Sequence, residues 1–107
     1  MNIKIDQEEF EKRQTRLIQE MASAIRNRLQ TTGLGEDQEL VESLLFDIGA
    51  ILDGSAEMKV GGKPLIPFLA FAKNRGSDEV IASKGGSWIH EVCSDAVEKM
   101  FEENPPS

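Results

Sequence analysis

The stretch from Asp6 to Gly33 constrains this chain most, because it carries nearly every local signal of one long amphipathic helix. Asp6 is a good N-cap, and Glu9 three residues on completes a capping box. Ile5 before the cap and Phe10 after it fit a hydrophobic staple. Glu8, Glu9 and Glu11 crowd the first turns while Arg26 and Arg28 lie near the end, as the helix dipole favours. Glu8–Lys12 and Glu9–Arg13 are i,i+4 pairs of the better orientation. Phe10, Leu17, Met21, Ile25 and Leu29, with Ile18 and Ala24 beside them, recur at helical spacing, and Gly33 follows as a C′ residue. A helix of roughly 25 residues is about 37 Å long. In a chain of 107 residues it needs other apolar faces to cover its stripe. The stripe thins where Gln14 stands between Phe10 and Leu17, so that end is expected to reach beyond its own core.

A second helix is predicted over 37–52. Leu40, Val41, Leu44, Leu45, Ile48, Ile51 and Leu52 form one broad apolar face, and Asp53-Gly54 ends it. Phe46 points nearly opposite that face, so another element or a second chain is expected to cover it. The last helix is predicted over 87–103. Its apolar pairs Trp88/Ile89, Val92/Cys93, Ala96/Val97 and Met100/Phe101 make a surface wide enough to touch more than one neighbour.

Between these helices stands KVGGKPLIPFLAFAK. Ala56, Met58 and Val60 alternate with charged residues, and Gly61-Gly62 reads as a hairpin turn. Pro64 confines the return strand, 63–66, to an edge. Pro67 then opens a predicted short helix, 67–75, with Lys73 and Arg75 in its last turn and Gly76 as its stop. A continuous strand through LIPFLAFA is the alternative, weakened by the proline. Ser77 is read as the cap of one short turn, DEVIASK, and SKGGS as a flexible junction.

The expected fold is therefore mainly α: a single helical domain over 1–103 with a disordered tail at 104–107. It has a long first helix, an antiparallel second helix, a β-hairpin with a short helix, and a last helix that packs back across the pair. One domain suits this length, and a core can form without disulfides, which the lone Cys93 cannot supply. A polar N-terminus without a signal peptide, a longest apolar run too short for a bilayer, and that single cysteine point to a cytoplasmic location.

No motif carries chemistry. His90 and Cys93 lie three apart on one side of the last helix, where a Cys–His pair can make a thiolate. Cys93 sits within the apolar stripe, however, and reads first as a small core residue. With one histidine in the chain, a zinc site would need at least two carboxylates. GGKP and SKGGS lack phosphate-loop spacing. No cofactor, metal or catalytic residue is expected, and the chain is not expected to be an enzyme.

The net charge of -7 is unevenly spread: +1 over residues 1–33, -6 over 34–60, +2 over 61–87 and -4 over 88–107. It speaks against docking on anionic lipid and against a general nucleic-acid binder. The acid on the second and last helices is most simply a solvated face that keeps a small protein soluble. The sharper reading is a surface matched to a basic partner. LIPFLAFA reads mostly as core, but Leu65, Pro67, Phe68 and Phe71, added to Phe46, are many large apolar groups for one small core. An exposed part of this set needs a partner, most cheaply a second copy. The expected function is a non-enzymatic protein–protein interaction module, an adaptor, inhibitor or accessory protein, that forms a homodimer and binds another protein. Two alternatives stand beside it. One is a ligand-binding or enzymatic domain with a pocket near His90 and Cys93. The other is a nucleic-acid-associated protein using Arg13, Arg16, Arg26 and Arg28.

Overall fold

The structure, a computed structural model, describes residues 1–106. Of the tail expected at 104–107, Ser107 lies outside the described residues. The elements in order are β1 (Asn2–Ile5), α1 (Gln7–Gln30), α2 (Gln38–Leu52), β2 (Lys59–Val60), β3 (Lys63–Pro64), β4 (Phe71–Ala72), β5 (Glu79–Ala82) and α3 (Ile89–Glu103). The mainly helical class holds, and each long helix lies close to where its periodicity put it.

The first two helices begin and end on local chemistry. Asp6 caps α1 by accepting from the Glu9 amide at 3.1 Å, and Asp37 caps α2 by accepting from the Leu40 amide at 3.0 Å. At the far end of α1, Leu34 N–H reaches the Leu29 carbonyl and Gly33 N–H the Gln30 carbonyl, a Schellman closure around the positive φ of Gly33. The same pattern closes α2 at Gly54.

The three helices share one core of Ile18, Ala22, Val41, Leu45, Ile89, Cys93, Val97 and Phe101. Burying an aliphatic or aromatic side chain of this kind contributes about 1.5–3 kcal/mol. Their directions follow from contacts. The start of α3 meets Gln14 of α1, and its end meets Ser23 and Arg26 further along α1, so α3 runs with α1. The start of α3 also meets the end of α2 at Gly49 and Asp53, so α2 runs against both. Arg26 is buried where α1 and α3 close: its guanidinium lies 4.0 Å over the Phe101 ring and 3.1 Å from Glu36.

The segment between α2 and α3 departs from expectation. The β2–β3 hairpin forms, with Gly61 and Gly62 both at positive φ as a type I′ turn requires. The short helix over 67–75 does not. Residues 65–70 run without regular structure, and Phe71–Ala72 pairs antiparallel with Val80–Ile81. A helix of nine residues has little stability of its own. Strand pairing, together with the packing of Phe71 on Phe10 at 5.3 Å between ring centroids, wins the segment. Gly76 belongs to the β4–β5 turn, where its amide donates to the Asn74 side chain at 3.0 Å, rather than to a helix stop. DEVIASK is likewise not a capped turn but contains β5, the central strand of a three-stranded sheet ordered β1-β5-β4. β1 pairs parallel with β5, Ile3 opposite Val80 and Ile5 opposite Ala82. Ile5 stays exposed on this edge strand, so the staple to Phe10 is replaced by the Phe10–Phe71 contact.

Candidate functional site

The densest polar constellation lies where α2 ends and α3 begins. Trp88 is the N-cap residue of α3, yet no side chain of its own segment caps the helix. Two side chains from the other helices do so. Gln14 of α1 accepts from the Trp88 amide at 2.7 Å, and Asp53 at the end of α2 accepts from the His90 amide at 2.8 Å. The Ser87 hydroxyl also donates to Asp53, and His90 Nδ1 lies 2.6 Å from its second oxygen.

The Asp53 side chain is 1% exposed. Burial works to raise its pKa, but the hydrogen bonds from Ser87, His90 and Ile89 outweigh it and hold the carboxyl below its ordinary value. An ionised carboxylate only accepts, so Nδ1–H of His90 donates and Nε2 is left facing away from Asp53. The order of contacts is serine to aspartate to histidine. A nucleophilic triad needs the imidazole between the other two, taking the hydroxyl proton. Here Ser87 is bonded to a carboxylate, and the arrangement orients His90 without activating a nucleophile.

Cys93, the other pocket candidate, is buried in the shared core, and its thiol donates to the His90 carbonyl at 3.5 Å rather than to the imidazole. Burial, then the charge of nearby Glu42, pushes the thiol pKa up. The two side chains proposed as a pair are thus not joined. Among the described residues no group of histidine, cysteine and carboxylate side chains could hold a metal ion.

Above the polar cap lies a row of aromatic rings. Phe46 meets His90 edge to face at 5.7 Å, and the Trp88 ring lies 6.4 Å from His90, tilted by 39°. Gly85 and Gly86 carry the row onward, the first beside the Trp88 ring and the second beside Phe68. Phe46 is 46% exposed, Trp88 45% and Phe68 58%. A shallow depression of about 430 Å³ beside Phe46 is lined by Glu39, Glu42, Ser43 and Asp47, so the row borders on carboxylates.

Of the residues singled out by sequence, Phe46 and His90 meet here, and Phe68 lies against Gly86. Leu65 is exposed, and Pro67 is partly buried in the irregular segment. Phe71 is turned to Phe10 and belongs to the sheet packing. Trp88, Asp53, Ser87 and Gln14 were not singled out. The tryptophan beside GGS, at the start of a helix with no local cap, is the one signal that could have marked the place.

Of the four arginines singled out on α1, three pair with carboxylates and Arg28 is exposed. Arg13 bonds Glu9 at 3.0 Å, Arg16 pairs with Glu20 at 2.6 Å, and Arg26 is buried against Glu36. Among the described residues no helix is long and apolar enough to cross a membrane. No protein-family model matches the chain, and neither curated proteins nor solved structures give a significant match.

Proposed function

We propose that this chain is a non-enzymatic protein-interaction module that takes a basic partner segment on the face formed by Phe46, Phe68, Trp88 and His90. The row of half-exposed rings over a rigid polar cap carries the proposal. Binding energy in interfaces concentrates in aromatic anchors, and anchors held in one orientation lose less entropy on binding. Asp53 and Gln14 hold this row still by fixing the start of α3. The bordering Glu39, Glu42 and Asp47 favour a partner rich in lysine or arginine and oppose nucleic acid. A buried thiol of raised pKa and a serine bonded to a carboxylate support a non-enzymatic role. The lone cysteine fits a cytoplasmic setting.

Site-specific photo-crosslinking in cells tests this. A benzoyl-phenylalanine is placed at Phe46 or at Phe68, and at the exposed Lys12 as a control. The expected result is one discrete cross-linked species from the two face positions and not from the control, its cross-linked segment carrying net positive charge. Smears equal at all three positions, or a captured segment that is acidic, would remove the proposal.

A further inference from the structure

The aromatic face contains a polar atom that the cap leaves free. The His90 side chain is 16% exposed, and its Nδ1 is taken by Asp53 at 2.6 Å. Among the described residues Nε2 has no partner. Among them, too, Arg26 Nε is the only buried side-chain nitrogen or oxygen without a hydrogen bond, so Nε2 of His90 is open to solvent. The rings of Phe46 and Trp88 lie 5.7 and 6.4 Å from this imidazole. An ionised Asp53 only accepts, so the proton of the neutral imidazole sits on Nδ1 and Nε2 is an acceptor. A buried carboxylate thus sets what this part of the row recognises: a hydrogen-bond donor.

Charge narrows the donor to a cation. Glu39, Glu42 and Asp47 line the hollow beside Phe46, and Glu42 stands near enough to α3 for its charge to act on Cys93. Glu91, next to His90, is exposed, and Lys84, next to Gly85, is the cation of the adjoining loop. The carboxylates outnumber it, and the rim is negative. That charge attracts lysine and arginine alike, whereas the imidazole and the rings discriminate between them. A donor to Nε2 enters in the plane of the imidazole, which is tilted 39° from the Trp88 ring and 84° from the Phe46 ring. A planar guanidinium entering there can donate one N–H to Nε2, lie obliquely against the indole and keep further N–H groups for the carboxylates. An ammonium is a compact, strongly hydrated charge with no flat face to stack.

We infer that an arginine of the partner segment is the anchor of this face, its guanidinium donating to His90 Nε2 and stacked on Trp88. The inference rests on the reading of the face as a site for a basic partner, and it adds the side chain that the site selects. His90 is then the specificity-determining residue. Arginine and lysine peptides of equal charge should differ at least about tenfold in affinity, the worth of one hydrogen bond to a charged group.

Blocked hexa-arginine and hexa-lysine peptides, titrated into the isotope-labelled full chain and followed by nuclear magnetic resonance, test this. Salt at about 0.15 M screens attraction beyond about 8 Å, so that binding reports contact. Hexa-arginine is expected to bind at least about tenfold more tightly than hexa-lysine. It should move the resonances of the Trp88 indole and of His90 Nε2. His90→Phe keeps a ring and removes the acceptor, and should abolish the advantage of arginine. Circular dichroism shows whether that variant is folded; should it not fold, the Nε2 resonance of the wild type decides. Equal affinities with both peptides moving Trp88, or an Nε2 that hexa-arginine leaves unmoved while Trp88 shifts, overturn the arginine anchor and leave the basic-partner face standing. An advantage that survives in folded His90→Phe does the same. If neither peptide moves Trp88 or Phe46, the anchor and the face fall together.

Discussion

Asp53, the residue that ends α2, accepts hydrogen bonds from both the backbone amide of His90, at 2.8 Å, and its ring Nδ1, at 2.6 Å. One carboxylate therefore caps α3, orients an imidazole and ties the ends of two helices together. Its partners include a hydroxyl and amides at a helix N-terminus, where a negative charge is also favoured by the dipole.

The first prediction concerns that charge. Asp53→Asn keeps the shape and loses the anion, and should cost about 1.5–3 kcal/mol at neutral pH. The folded pKa of Asp53 is depressed below its ordinary 3.8. Its contribution is therefore complete above the unfolded value and lost as pH falls through the folded one. The stability gap between wild type and Asp53→Asn should shrink as pH falls below about 4. Urea titrations over that range measure it, and a gap that does not close in acid would show that the charge contributes nothing.

Gln14 supplies the second acceptor for the same helix start. Gln14→Leu fits the buried site in size but leaves the Trp88 amide without its partner at 2.7 Å. An orphaned buried donor costs about 1–3 kcal/mol. The loss should be local as well as global. Amide exchange at Trp88 and Ile89 should accelerate more than in the middle of α3, and emission of the single tryptophan should move. Uniform acceleration along α3 would mean that Gln14 serves only the core.

These two residues show what could be read from the sequence and what could not. Asp6, Asp37, Gly33 and Gly54 act on amides and carbonyls a few residues away, so α1 and α2 are legible with their ends. The start of α3 depends on Gln14 and Asp53, which are remote in the chain. A glutamine within a helical stripe and an aspartate before a glycine read only as a gap and a stop. The sheet was hidden for the same reason. NIKI and EVIA are each too short to stand as strands, and only their parallel pairing makes them so. LIPFLAFA had helical offsets, but Phe10 and β5 decide the conformation of its second half. At the site, Phe46 was legible as a ring on the wrong side of its helix, whereas Trp88 was absorbed into an apolar pair.

Cys93 offers a third test, aimed at the enzymatic alternative. Burial, then Glu42, raises its pKa, and thiol reagents attack the thiolate. At pH 8 the native protein should react at least about a hundredfold more slowly than the urea-unfolded chain, as expected for an inert buried thiol. His90→Ala should leave that rate unchanged, because the Cys93 thiol meets His90 through its backbone carbonyl and not its ring. A native thiol that reacts at the unfolded rate, and slows when His90 is removed, would restore the Cys–His pair as a working unit.

Gly49 carries the last prediction, because it sets how closely α2 and α3 approach beneath the aromatic row. A Cβ at this position would lie 2.7 Å from Ile89 Cγ2 and 3.1 Å from the His90 amide nitrogen. The tightest neighbour is a methyl fixed on the β-carbon of buried Ile89, not the free end of a flexible side chain, and the His90 amide behind it is already held by Asp53. In an open helix Gly→Ala would stabilise by about 1 kcal/mol. Here overpacking should outweigh that gain, and Gly49→Ala should be net destabilising by about 1–3 kcal/mol. Gly85→Ala is the control, since its nearest neighbour, the Trp88 ring, would be 3.7 Å away. It should change stability by less than about 0.5 kcal/mol. If Gly49→Ala is instead as stable as wild type, α2 and α3 can separate without loss. The cap at Asp53 would then not be rigid, and the aromatic row above it would lose the preorganisation on which its role as an anchor rests.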